Sequence, residues 1–199
     1  MRIPALFTRT LLALLIVVLI GAVPASATDG GANQVVLVTT TADGSSLERS
    51  ELQFTLLGGP TVGSENLAQA TSDACSGCTS IAVAVQAVVA TGGPSTVIPH
   101  NAAVAANSGC TDCASYAYAY QYVLTTHGSV YLSPAGHARV AELRAEIADA
   151  AAAGLSFDAL TARLDELSAE FRAVVDQDLM APAGLRGLAT RSIDTAPAS

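Results

Sequence analysis

The dominant pattern in the chain is an alternation with a period of two. In "ASYAYAYQYV", Tyr116, Tyr118, Tyr120 and Tyr122 fall on one side, and Ala117, Ala119, Gln121 and Val123 on the other. In "TSIAVAVQAVV", Ile81, Val83, Val85 and Val89 take the side that the tyrosines take later, and Ala82, Ala84, Gln86 and Val88 the opposite one. Alternation of this kind predicts β-strands with two chemically different faces. The two runs are copies. At an offset of 35, Asn66, Ala68, Ala70, Cys75, Cys78, Ser80 and Gly93 fall on Asn101, Ala103, Ala105, Cys110, Cys113, Ser115 and Gly128, and Pro99 falls on Pro134. Repeats are therefore assigned to residues 66–99 and 101–134, each read as strand, tight turn, strand, with a Cys-x-x-C pair at the bend. The shared small face predicts the close approach of a second layer.

Upstream, Gln34–Thr41 and Glu51–Leu57 are β-branched or aromatic runs around an Asp43-Gly44 turn signal, and they predict two further strands. Downstream the period changes. Ser133 with Pro134 starts a helical pattern that stops at Gly154, with Val140, Leu143 and Ile147 on one face. A second pattern restarts at Ser156 and carries Leu160, Leu164, Leu167, Phe171 and Val174 as a stripe. So short a connection predicts an antiparallel helical hairpin over 133–180. Residues 181–199 show no period and read as a disordered tail. The expected fold is α+β: a duplicated Cys-tipped β-hairpin unit with extra N-terminal strands over 28–132, packed with the C-terminal helical hairpin. Four tyrosines on one face suit either a carbohydrate or peptide platform or a core beneath those helices, and the helices' need for something to cover favours the core.

The N-terminus changes the picture of where this fold works. Arg2 and Arg9, an apolar run from Leu11 to Val23, and Ala25-Ser26-Ala27 form a signal-peptide pattern over residues 1–27, with cleavage expected after Ala27. The expected location is secreted or extracytoplasmic. The formal net charge of −8, with no Lys, leaves no basic footprint for nucleic acid. No later segment resembles a membrane span.

Compartment bears on the candidate chemistry. Cys75, Cys78, Cys110 and Cys113 in an exported chain predict disulfides, with three connectivities open. A tetrathiolate zinc site on the same four residues is the first alternative. A redox dithiol at Cys75/Cys78 or Cys110/Cys113 is the second, although each motif leads into a strand where thioredoxin-like chemistry wants a helix N-terminus. No catalytic set assembles in the sequence. His100, His127 and His137 are scattered, and there is neither a His-Glu-x-x-His nor a Gly-x-Ser-x-Gly motif. Asp165, Glu166 and Glu170 read as a solvated helix face. Gln86 and Gln121 read as a polar pair between the copies, with a shared ligand contact as the alternative.

The stretch "NLAQATSDACSGCTSIAVAVQAVV", then "PHNAAVAANSGCTDCASYAYAYQYVL" and "LSPAGHARVAELRAEI", resembles the C-terminal extracytoplasmic region of actinobacterial proteins named as peptide zinc metalloproteases. The likeness spans roughly residues 33–179. The His-Glu-x-x-His motif and the membrane spans of those proteins are missing from this sequence, so the protease chemistry does not carry over. What the resemblance implies is an exported form of their non-catalytic module. The expected function is a secreted, non-enzymatic accessory or binding module for a peptide or protein partner, stabilised by disulfides and without a cofactor. A thiol–disulfide redox protein and a structural zinc protein stand as alternatives.

Overall fold

A computed structural model describes residues 30–180 and 186–196; residues 1–27, expected to be a signal peptide, lie outside the described residues. In chain order the elements are β1 (Gly30–Thr40), β2 (Ser46–Gly58), β3 (Thr61–Asp73), β4 (Thr79–Thr91), β5 (Thr96–Ser108), β6 (Ala114–Thr125), β7 (Tyr131–Leu132), α1 (Pro134–Ala152), α2 (Phe157–Asp178), β8 (Leu179–Met180) and β9 (Arg186–Ala196). The α+β class, the duplicated unit with cysteines at its bends, the additional N-terminal strands and the helical hairpin are as the sequence implies.

Strand pairing within each unit departs from a hairpin. β3 and β4, although consecutive, lie in different sheets: one sheet has the order β1-β3-β5 and the other β2-β4-β6-β9. Each odd strand pairs in parallel with the odd strand of the next repeat, and each even strand likewise. The chain thus winds as a three-coil solenoid. The sequence explains why. A hairpin would set both small faces side by side in one sheet, whereas an arch turns them toward each other, so that Ala82, Ala84, Ala117 and Ala119 pack against Val36, Val38, Ala68 and Ala70. Small residues let two sheets approach closely. A period of two and a tight turn specify strands and a bend; they do not say whether backbone hydrogen bonds cross the bend or go to the next copy.

The N-terminal strands are a further coil of the same kind. Gly30 pairs with Val62 and Ser46 with Thr79, offsets of 32 and 33, against 35 for the next step from Thr61 to Thr96 and from Thr79 to Ala114. The first step is shorter chiefly at the bend from β2 (ending at Gly58) to β3 (starting at Thr61), against β4 (ending at Thr91) to β5 (starting at Thr96). The structural repeat starts at Thr61 and Thr96, earlier than the match at Asn66 and Asn101. Its far boundary also moves: Pro99 lies within β5, whereas Pro134 opens α1.

The helices form where expected. The Ser133 hydroxyl accepts from the Gly136 amide at 3.0 Å, and Ser156 accepts from Ala159 at 3.3 Å, each satisfying an otherwise orphan first-turn donor. Gly154, at φ +64, follows the end of α1 in a conformation suited to glycine. The buried stripe Val140, Leu143, Ile147, Leu160, Leu164, Leu167, Phe171 and Val174 lies on the large face of the β2-β4-β6 sheet, where it meets Val83, Val85, Tyr116 and Tyr118. Central β4 is buried on both faces, which is why it reads as a nearly continuous apolar run.

The C-terminal tail also differs from expectation. Residues 186–196 form β9, antiparallel to β6 from Ser115↔Ala196 to Thr125↔Arg186. The free edge of β6 supplies a partner that no local pattern reveals. Residues 181–185 and 197–199 of the expected tail lie outside the described residues.

Candidate functional site

The bend of each coil adopts one shape. Ala74 and Gly109, one 35-residue step apart, sit at φ +52 and +59, and Gly77 and Asp112, related the same way, at +65 and +54. A non-glycine residue at positive φ is strained, so two matched left-handed positions mark one turn built twice. The turns also bond to each other: the Gly77 amide donates to the Thr111 carbonyl at 2.8 Å, and Thr111 to the Cys75 carbonyl at 3.1 Å. In the first coil Asp43 takes up the bend, its carboxylate accepting from the Ser76 amide at 2.8 Å.

This stacking brings all four cysteines into one small cluster. Cys75 pairs with Cys78 and Cys110 with Cys113, each within its own turn and at disulfide-bonding distance. The two pairs also touch, with Cys75 Sγ at 3.7 Å from Cys110 Sγ and 3.8 Å from Cys113 Sγ. Cys75, Cys78 and Cys113 are buried, and Cys110 is partly open. Each motif runs directly into a strand, β4 or β6, as the sequence indicates.

Polar ladders lie between the two sheets and tie successive coils together. The Gln121 amide donates to the Gln86 side-chain carbonyl at 2.8 Å, and Gln86 donates to Gln53 at 2.8 Å, one glutamine per coil. Asn66 donates to Asn101 at 2.8 Å and also reaches the Ala84 and Tyr120 carbonyls. The expected pairing of Gln86 with Gln121 therefore holds and extends to a third residue; Gln53 was legible only once β2 was seen as part of a coil.

The tyrosine stripe is core. Tyr116, Tyr118 and Tyr122 are buried beneath α2, their hydroxyls bonded to Thr161 at 2.9 Å, to Asp165 and Ser168 at 3.0 Å each, and to Asp176. Burial pushes the phenols of Tyr118, Tyr120 and Tyr122 above the usual tyrosine range, helped at Tyr118 and Tyr122 by the neighbouring carboxylates. Asp165 is accordingly a core partner, whereas Glu166 and Glu170 pair with Arg163 and Arg139 on the helix surface. An open groove of about 550 Å³ runs along this seam, lined by Tyr118, Tyr120, Asp165, Ser168, Arg172 and Asp176.

His100, His127 and His137 are all exposed and stand on β5, at a turn and on α1, respectively. Among the described residues one group of three or more His, Cys, Asp and Glu side chains comes close enough to share an ion, namely Cys75, Cys110 and Cys113.

The outer face of the β1-β3-β5 sheet has no covering layer among the described residues. In register across it run Val35–Leu67–Ala102 and Leu37–Gln69–Val104, with Asn33–Glu65–His100 on one side and Thr39–Thr71–Ala106 on the other. Val35, Leu37 and Val104 are 45%, 52% and 42% exposed. An apolar band between polar rows, on a strand array held rigid from behind, was not singled out by sequence reading. The clue is the period-two run of Gln34–Thr41, which carries apolar residues on both faces, Val35 and Leu37 on one and Val36 and Val38 on the other.

Comparison with protein-family models, with curated proteins and with solved structures finds no match to this chain. No helix among the described residues is long and apolar enough to cross a membrane.

Proposed function

We propose that this chain is a secreted, non-enzymatic binding module whose outer β1-β3-β5 face receives an extended, largely apolar segment of a peptide or protein partner. The observation that carries this reading is the band of exposed Val35, Leu37 and Val104 beside half-buried Leu67. Contiguous apolar surface rimmed by polar residues marks interaction sites on soluble proteins. The band holds no charged side chain, and Glu65 and His100 beside it supply polar rim contacts. The disulfide-distance pairs at the bends are consistent with an oxidising compartment. The resemblance to a non-catalytic extracytoplasmic module supports the same reading.

Selection of displayed random peptides on the full-length chain, with counter-selection on Leu37→Glu/Val104→Glu, tests it. Peptides rich in apolar residues are expected to emerge and to lose at least about tenfold in affinity on the doubly substituted protein. Peptides that bind both proteins equally would place recognition elsewhere and overturn the assignment of this face.

A further inference from the structure

The cysteine cluster has a geometry that two independent structural disulfides do not require. Each Cys-x-x-C pair closes within its own turn, yet the solenoid register sets Cys75 Sγ 3.7 and 3.8 Å from the two sulfurs of the next coil. Around a zinc ion held tetrahedrally by thiolates at about 2.3 Å, the sulfur–sulfur edge is about 3.8 Å. The contacts between coils already have that length.

We infer that, in its reduced form, the chain binds one zinc ion between the second and third coils. Cys75, Cys110 and Cys113 form three corners of the site, and Cys78, in the same turn as Cys75, rotates in as the fourth. The carriers of the site are rigid. Two matched turns, each with two positive-φ residues, are cross-bonded through Gly77, Thr111 and Cys75, so the backbone that carries the ligands is set and only side-chain rotation is needed once the pairs are reduced. Burial of Cys75, Cys78 and Cys113 shields the ion, and partly open Cys110 gives it entry. Thiolate sulfur in a tetrahedral set selects zinc over hard cations.

The chemistry balances simply. A dithiol reductant transfers two electrons and two protons to each disulfide, giving four thiols and the oxidised reductant. One Zn²⁺ then displaces the four thiol protons, with no electron passing to or from the metal. Oxidised and zinc-loaded forms are mutually exclusive, because the same sulfur atoms serve both.

The test uses the full-length chain, reduced anaerobically with a dithiol, freed of reductant and titrated with Co²⁺ and then Zn²⁺. One ion per chain is expected, with the intense visible bands of tetrahedral cobalt thiolate bleached by an equivalent of zinc. Cys75→Ser and Cys113→Ser, on different coils, should each weaken zinc binding at least about 100-fold, with folding of each variant checked by near-ultraviolet dichroism of the tyrosine layer. Two ions per chain, no ion, or cobalt bands of unchanged strength in a folded Cys75→Ser protein would each overturn the shared site. Stoichiometry on the unsubstituted chain decides the matter even where a variant fails to fold. Peptide binding at the outer face is read separately, so failure here leaves that proposal standing.

Discussion

The two sheets of the solenoid share their coils, strand lengths and inner packing, and differ in what lies outside. On the β2-β4-β6 sheet the outward residues are Ile81, Val83, Val85 and the four tyrosines, and two helices bury them. On the β1-β3-β5 sheet the outward residues are a mixture in which Val35, Leu37 and Val104 stand open among Asn, Thr and Gln. Bulk repeated at every outward position goes with a covering layer of the same chain; bulk spread thinly, with Ile98 in a further row beyond Asn33–Glu65–His100, goes with a face that no described residue covers. The aromatic hydroxyls sharpen the contrast. Tyr116, Tyr118 and Tyr122 on the covered side have their hydroxyls satisfied by α2, as a permanently buried phenol requires.

The covered side breaks most readily at Phe171. Removing this fully buried ring in Phe171→Ala should cost about 3–5 kcal/mol in urea unfolding and uncouple the helices from the sheet. Next in size is the glutamine ladder between the sheets. Gln86→Leu strips a donor from Gln53 and an acceptor from Gln121 in a buried setting, and a loss of about 1–3 kcal/mol is expected by the same measurement. Tyr118→Phe leaves the packing and removes one hydroxyl that serves Asp165 and Ser168, for about 1 kcal/mol.

Tyr118 also sets a pH dependence. Its folded phenol is held above the ordinary value of 10.0 by burial, so the unfolded chain gives up this proton first. Stability from this group is complete below pH 10 and declines above it. Alkaline unfolding curves should therefore begin to fall near pH 10, less steeply in Tyr118→Phe. The smallest effect belongs to the open side: Leu37→Glu should change the urea midpoint by no more than about 0.5 kcal/mol equivalent, because the side chain already faces solvent. A large loss there would mean that the face is covered after all.

Much of this contrast was written in the local sequence. Ser133 and Ser156 mark both helix starts, the stripe from Leu160 to Val174 gives the buried face, and the alternation in β4 and β6 separates the small side from the large. Strand partnership was not. The choice between a hairpin and an arch depends on which backbone meets which across 35 residues, and the bend itself is compatible with either. The constant offset was the available clue, since identical residues at a fixed separation stack best in parallel and in register. β9 was hidden for a related reason: its pairing is decided by the exposed edge of β6, far away in the chain. At the candidate sites, the four cysteines were evident as a set, but the contact between the two pairs follows only from the coil register. The open band was missed because an exposed Val or Leu on a strand looks locally the same as a buried one.

The width of the open face is fixed by the number of coils. Neighbouring strands are about 4.8 Å apart and a strand advances about 3.3 Å per residue, so three strands of 11 to 13 residues offer a strip about 10 Å across and about 40 Å long. Such a strip accommodates one extended chain laid lengthwise and is too narrow for a folded domain to seat flat. One additional 35-residue coil would widen it by a single strand spacing and leave the spacing of the existing rows untouched. The open surface of this fold is therefore adjustable in fixed increments.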